Sequence, residues 1–186
     1  MPIRGYLGPH GSGKTYAMVR HAYYRRLKHP DMPVWANFKV QLPGDGPVHP
    51  LTVWPDDLVR ARNGLVLIDE INIVMPSRLW DRVPVQMLYA LAMARKFGWE
   101  MLWSAQYVAR VDKSAREVTS EVWKMMNFRR LGFFAYRSYF GEDFERPFLG
   151  GLIFCEPRVD AAYDTLELIE WPEYTERRPG RRGSWG

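Results

Sequence analysis

Gly8-Pro9-His10-Gly11-Ser12-Gly13-Lys14-Thr15 stands between the short apolar run Ile3 to Leu7 and a segment, Tyr16-Ala17-Met18-Val19, that continues toward Leu27 with helical character. The octet fits the spacing G-x-x-x-x-G-K-[ST], in which a strand feeds a tight turn and the turn feeds a helix. Backbone N–H groups of such a turn face a phosphate, and the helix start adds the positive end of its dipole. Its three glycines supply conformations that a Cβ forbids. Gly8, Pro9, His10, Gly11, Ser12, Gly13, Lys14, Thr15 and the following Tyr16 are therefore the expected nucleotide-binding set. Within it, Lys14 reaches the β- and γ-phosphates as a catalytic cation, and the Thr15 hydroxyl is a ligand for Mg²⁺. A glycine-rich turn without ligand is the competing reading, and the order strand, loop, helix argues against it.

A second anchor for the metal is expected at the end of another strand. Leu65-Val66-Leu67-Ile68-Asp69-Glu70 has that form: four apolar residues of buried-strand type closing on two carboxylates. Asp69 is expected to hold Mg²⁺ through its water shell, and Glu70 to orient and deprotonate an attacking water. An acidic pair can also be a plain strand terminus, but together with the phosphate loop one explanation serves both segments. No Asn-Lys-x-Asp sequence for guanine recognition is present, and a carboxylate directly after Asp69 favours hydrolysis. ATP is the expected nucleotide.

Composition sets the bounds. A chain of 186 residues with 47% hydrophobic content can bury one good core, so a single α/β domain over 1–172 is expected, followed by an Arg/Gly-rich, disordered tail over 173–186. The lone Cys155 cannot form an intramolecular disulfide, and no Cys/His cluster has zinc-ligand spacing. No stretch approaches the roughly 18 apolar residues of a membrane span, and Met1-Pro2-Ile3-Arg4 runs into the first strand without a signal peptide, so a cytoplasmic setting is expected. The net charge is +5, to which Arg177, Arg178, Arg181 and Arg182 of the tail contribute four positive charges, partly offset by Glu173 and Glu176. A nearly neutral body carries no general argument for nucleic-acid binding; only local patches such as Arg95-Lys96 or Arg129-Arg130 do.

Along the chain, strands and helices alternate. Pro33 to Phe38 reads as a strand, Leu51 to Trp54 as an extended piece and Pro55 to Arg62 as a helix with proline in its first turn. Pro84 to Lys96 has helical period and ends at Gly98, and Glu100 to Ala105 reads as a strand. This alternation implies a mainly parallel sheet flanked by helices, the P-loop NTPase arrangement, with ligands at the carboxyl ends of its strands. Gln106 then shares an edge with Gly13 and Asp69 and is expected to sense the γ-phosphate or its attacking water. Asp112 to Met126 reads as a further helix. Beyond Phe128 the pattern changes to an antiparallel hairpin around Gly141 and Gly150-Gly151, whose aromatic residues need something large to bury against.

Several landmarks in order resemble the zonular occludens toxin (Zot)-like family, whose N-terminal ATPase domain is shared with the assembly proteins of filamentous bacteriophages. They are the octet itself, Ala36-Asn37-Phe38, Leu67-Ile68-Asp69-Glu70 with Met75-Pro76-Ser77-Arg78, Ala94-Arg95-Lys96-Phe97-Gly98, Ser104-Ala105-Gln106, Val111-Asp112 with Arg116, and Tyr163-Asp164-Thr165. The family usually has Arg-His where this chain has Arg95-Lys96. The resemblance implies a phage morphogenesis motor that hydrolyses ATP to drive virion assembly and DNA extrusion or translocation. Through the related FtsK and HerA motor ATPases it also implies a homo-oligomeric ring in which one subunit's arginine completes the next subunit's site. Arg95 is the first candidate for that arginine, ahead of Arg110 and Arg116. Phage DNA and virion assembly components are the implied partners. Association with the inner membrane through a segment outside this chain is implied as well, and the arginine-rich tail suits the cytoplasmic side of a membrane helix. Three other readings stay open here: a genome-packaging ATPase of a non-filamentous virus, a P-loop nucleoside kinase, and a module that binds ATP without hydrolysing it.

Overall fold

The computed structural model describes residues 3–77, 84–141 and 146–164, and the backbone of Glu173–Tyr174. In chain order the strands are β1 (Ile3–Leu7), β2 (Val34–Ala36), β3 (Val48–Pro50), β4 (Val53–Trp54), β5 (Leu65–Ile68), β6 (Glu100–Ala105), β7 (Glu121–Phe128), β8 (Phe133–Phe140), β9 (Leu149–Phe154) and β10 (Glu173–Tyr174). The helices are α1 (Lys14–Lys28), α2 (Asp56–Arg60), α3 (Ile71–Val74), α4 (Val85–Ala92), α5 (Ala94–Phe97), α6 (Lys113–Glu117) and α7 (Pro157–Asp160). Eight strands form one sheet in the order β3-β2-β5-β6-β1-β7-β8-β9. Pairing is parallel from β3 to β7, and β8 and β9 extend the sheet antiparallel. The carboxyl ends of β2, β5, β6 and β1 therefore lie along one edge, where an open α/β sheet binds its ligands.

Alternation along the strands divides the core in two. Leu65, Leu67, Leu102 and Tyr6 face α1 and pack with Met18, Val19 and Ala22. Val66, Ile68, Met101, Trp103 and Ile3 face the other way and pack with Leu58, Met87, Leu91 and Trp99. Both faces of β5 and β6 are buried, which is why their sequences are continuously apolar. Each fully buried aliphatic or aromatic side chain contributes about 1.5–3 kcal/mol.

Two expected helices fold differently. The stretch 112–126 is helical only over α6; from Glu121 it is a strand that lies parallel to β1, Arg4 opposite Glu121 and Leu7 opposite Lys124. Asp112 does cap α6, its carboxylate accepting from Ser114 N at 2.8 Å. Pairing with the central strand overrides the local helix preference of Glu121 to Met126, since tertiary burial outweighs propensities of a few tenths of a kcal/mol. The helix expected over 84–96 is interrupted at Met93 (φ −93, ψ 3), so α5 is a separate turn; it ends, as expected, on Gly98, whose φ of 75 suits glycine. The hairpin around Gly141 is part of a three-stranded meander, β7-β8-β9. Of the tail expected to be disordered, Glu173–Tyr174 instead pairs in parallel with β4, and 175–186 lie outside the described residues, as do Arg78 and Thr165.

The aromatic residues of the meander separate by face. Phe134 and Tyr136 turn toward α1, whereas Phe128, Phe133 and Phe154 form one cross-strand row on the other side, ring on ring. Among the described residues no helix covers that row: Phe128 is 42% and Phe154 62% exposed.

Beside β1, the buried Glu100 carboxylate holds α1 to the sheet through His21 (2.7 Å) and Arg25 (2.9 Å). Burial pushes its pKa up, but the hydrogen bond and charge of His21, with Arg25 and Arg4, outweigh that and leave it below the ordinary value of 4.5. A carboxyl that is a stronger acid when folded stabilises above its unfolded pKa and loses that contribution as pH falls through the folded value. Glu100→Gln is therefore expected to cost roughly 3 kcal/mol near pH 7. Urea unfolding should show the gap from the parent chain narrowing below about pH 4; an equal gap at both pH values would show that charge is not what Glu100 contributes.

Candidate nucleotide-binding site

The phosphate-loop octet leaves the end of β1 at the middle of the sheet and enters α1 through Gly13, whose φ is 91. A Cβ at Gly13 would stand 2.4 Å from the Phe134 ring, so conformation and space both require glycine. The Lys14 side chain, 6% exposed, curls back over the loop: Nζ donates to the carbonyls of Gly8 (3.0 Å) and Pro9 (3.2 Å) and lies 3.8 Å from Glu70 Oε1. Thr15, one residue into the helix, donates its hydroxyl to Asp69 Oδ2 at 2.9 Å. The two sequence motifs, 54 residues apart, thus meet as one cluster of an ammonium, a hydroxyl and two carboxylates.

The acidic pair is held from both sides. Asn37, just past β2, donates Nδ2 to the Asp69 carbonyl (2.9 Å) and accepts the Asp69 N–H on Oδ1 (2.7 Å). Ser104, on β6, accepts the Glu70 N–H on Oγ at 3.0 Å and donates to Asp69 Oδ1. Between them Glu70 takes a left-handed conformation (φ 48, ψ 57). That backbone costs a non-glycine residue on the order of 1–3 kcal/mol and recurs at functional sites. Glu70 Oε2 is buried without a hydrogen-bond partner among the described residues. It is an acceptor available to a proton.

Thr15 Oγ1 and the Asp69 carboxylate are hard oxygen donors in direct contact, a pair that fits Mg²⁺. Among the described residues no group of three or more His, Cys, Asp or Glu is placed to hold a metal ion. Gln106, at the end of β6, reaches the loop: its Nε2 is 2.8 Å from His10 Nε2.

The other expected residues are placed as follows. Tyr16 presents only its backbone to the loop; its side chain is buried, donating to the Phe154 carbonyl (3.2 Å) and accepting from Glu156 N (2.7 Å), with burial pushing its pKa up to about 12. Arg95 is exposed on α5, at the end of β6 that lies beside Ile3 rather than Leu7. A strand's length, ~16 Å, separates it from its own phosphate loop, so it cannot serve its own site. Arg110 lies at the loop end of β6 with its guanidinium 5.1 Å from the Tyr107 ring, and Arg116 has a buried Nε without a hydrogen-bond partner among the described residues. Two groups at the site have no strong local signal. Asn127 donates Nδ2 to the Gly11 carbonyl (2.7 Å) and ties the loop crest to the β7-β8 turn, and Ser104 reads as one more residue of an apolar strand.

Comparison with known proteins bears on this geometry. The family model described as Zonular occludens toxin (Zot) matches residues 49–146, a span that contains the acidic pair and Gln106. The Gene 1 protein of Enterobacteria phage I2-2 is 31% identical over 94 residues, 50% of this chain and 22% of its own length, so the chain spans about a fifth of that curated relative. Among solved structures, the N-terminal domain of zonular occludens toxin from Neisseria meningitidis superposes with a TM-score of 0.66 at 17% identity, over 88% of this chain and 100% of that one. The genome packaging NTPase B204 of Sulfolobus turreted icosahedral virus 2, in complex with ATP-gammaS, gives a TM-score of 0.57 at 13% identity, over 83% and 98%. At such identities the likeness establishes the fold: an α/β P-loop NTPase with a mostly parallel sheet.

Proposed function

Because the chain belongs to the zonular occludens toxin (Zot) family, we propose that it is an ATP-hydrolysing motor of phage morphogenesis, driving virion assembly and the extrusion or translocation of phage DNA. The observation that carries this reading is the convergence of Lys14, Thr15, Asp69 and Glu70 at the carboxyl ends of β1 and β5. A phosphate seated in the loop meets the backbone N–H groups of 11–15, and Lys14 exchanges its two loop carbonyls for phosphate oxygens. Thr15 and Asp69 would hold Mg²⁺, which would supply neutralisation of phosphate charge when bound. Glu70 takes the proton of the attacking water as its oxygen bonds to the γ-phosphorus and the bond to the leaving ADP oxygen breaks. In this reading Gln106 senses that phosphate, a role its contact with His10 of the loop supports.

In the same reading the chain works in the cytoplasm, on the inner face of the host membrane. Among the described residues no helix is long and apolar enough to cross a membrane. Packaging of a duplex genome is the second reading, favoured by the fold held in common with B204; stimulation of turnover by duplex but not single-stranded DNA would select it.

The placement of Arg95 far from its own loop makes the ring testable. ATP turnover per subunit is expected to rise with protein concentration. Arg95→Ala and Glu70→Gln subunits, each nearly inactive alone, should regain part of the wild-type phosphate release when mixed, because some sites then pair an intact Glu70 with a neighbour's arginine. Loss of a trans arginine costs about 10³–10⁵ in rate in comparable phosphoryl transfer. Concentration-independent turnover with wild-type activity for Arg95→Ala would remove Arg95 from the mechanism. The same mixture made with Arg110 or Arg116 variants tests the remaining candidates.

A further inference from the structure

We infer that Asn37 and Ser104 are positioning residues for Glu70, acting as a brace that fixes the Asp69–Glu70 peptide so that the glutamate reaches the Lys14 ammonium. β2 pairs with β5 as far as Ala36 opposite Leu67, and the Asn37 N–H adds one more bond to the Leu67 carbonyl at 3.3 Å. There the ladder ends, and the Asn37 side-chain amide takes over. It presents one donor and one acceptor in the arrangement of a peptide group and uses both on Asp69. From the opposite side, Ser104 Oγ takes the next backbone group, the Glu70 N–H.

Three consecutive main-chain groups, Asp69 N–H, Asp69 C=O and Glu70 N–H, are thereby bonded to side chains of two flanking strand ends. This has a geometric result: the chain enters α3 through a left-handed Glu70, and the carboxylate is carried to within 3.8 Å of Lys14 Nζ. Without the brace, Glu70 is free to relax to a right-handed or extended backbone, which swings its carboxylate away from the loop. The Ser104 hydroxyl also bonds Asp69 Oδ1, so one side chain sets the spacing between the two acids.

The inference rests on the reading of Glu70 as the group that activates water, and the test separates the two. Asn37→Ala, Asn37→Asp and Ser104→Ala are compared with the parent chain for ATP turnover under saturating Mg²⁺, for the dissociation constant of a β,γ-imido ATP analogue, and for melting temperature. Asn37→Asp keeps size and acceptor but loses the donor to the Asp69 carbonyl; Ser104→Ala removes one oxygen and is the variant least able to disturb folding. A displaced reacting group costs on the order of 10–100-fold in kcat, which is the loss expected in all three, with analogue affinity within about threefold of the parent. A role in folding alone would instead lower the melting temperature and leave kcat per analogue-binding site unchanged. Wild-type kcat in folded Asn37→Ala and Ser104→Ala, while Glu70→Gln is inactive, would overturn the brace and spare Glu70. Full turnover by Glu70→Gln would remove the base itself.

Discussion

Lys14→Ala is expected to abolish measurable nucleotide binding. The ammonium is 6% exposed, donates to two carbonyls of its own loop and stands 3.8 Å from a carboxylate that is itself mostly buried. It is the one cation of the phosphate loop, and charge-assisted hydrogen bonds to a polyphosphate contribute about 1.5–3 kcal/mol each. Losing two of them weakens affinity by roughly 10²-fold or more. Removal also leaves Glu70 buried next to an incoming polyanion without its counter-charge, which adds to the loss. Lys14→Met, which keeps the aliphatic stem packed, should behave the same way and so separates charge from packing. Titration calorimetry with MgATP on folded protein checks both variants. Parent affinity in Lys14→Met would refute the assignment of the loop.

What the sequence makes legible depends on whether a signal is local. The octet and Leu65 to Glu70 are each complete within a few residues, so strand, loop, helix and acidic terminus are readable directly, and the structure brings them together. β7 is the opposite case. Glu121-Val122-Trp123-Lys124-Met125-Met126 contains good helix formers, and what makes it a strand is β1, whose Arg4 pairs with Glu121 by side chain as well as by backbone across 117 positions. The braces of the site are hidden for the same reason. Asn37 and Ser104 act on residues 32 and 35 positions away, and Asn127 reaches Gly11 across 116. Asn37 and Ser104 both stand within landmarks of the family resemblance, but nothing local says what they bond; only sheet order, with β2 and β6 on either side of β5, places them beside the acidic pair. At Tyr16 the motif position fixes only the backbone that faces the loop, whereas the side chain follows the helix face into the core.

Glu70→Gln is expected to retain nucleotide affinity and lose nearly all turnover. General-base catalysis contributes typically 10²–10⁴ in rate, and the amide that replaces the carboxylate has no basic oxygen to accept the proton of water. Affinity should hold or tighten, since one negative charge is removed from beside the phosphates while the Lys14 loop bonds and the Thr15-Asp69 contact do not depend on it. Asp69→Asn reverses the pattern. It removes charge from the group that contacts Thr15, so the Mg²⁺-dependent part of binding should fall before any effect on chemistry is seen. The contrast can be read in one experiment, analogue binding with and without Mg²⁺ alongside single-turnover phosphate release. That outcome would separate two neighbouring carboxylates by role: Asp69, bonded on both oxygens to Thr15 and Ser104, would serve binding, and Glu70, whose Oε2 has no hydrogen-bond partner among the described residues, would take the proton. If Glu70→Gln releases phosphate at the parent rate, the proton goes elsewhere. Gln106, a neutral amide that contacts the loop at His10, cannot take its place as a base.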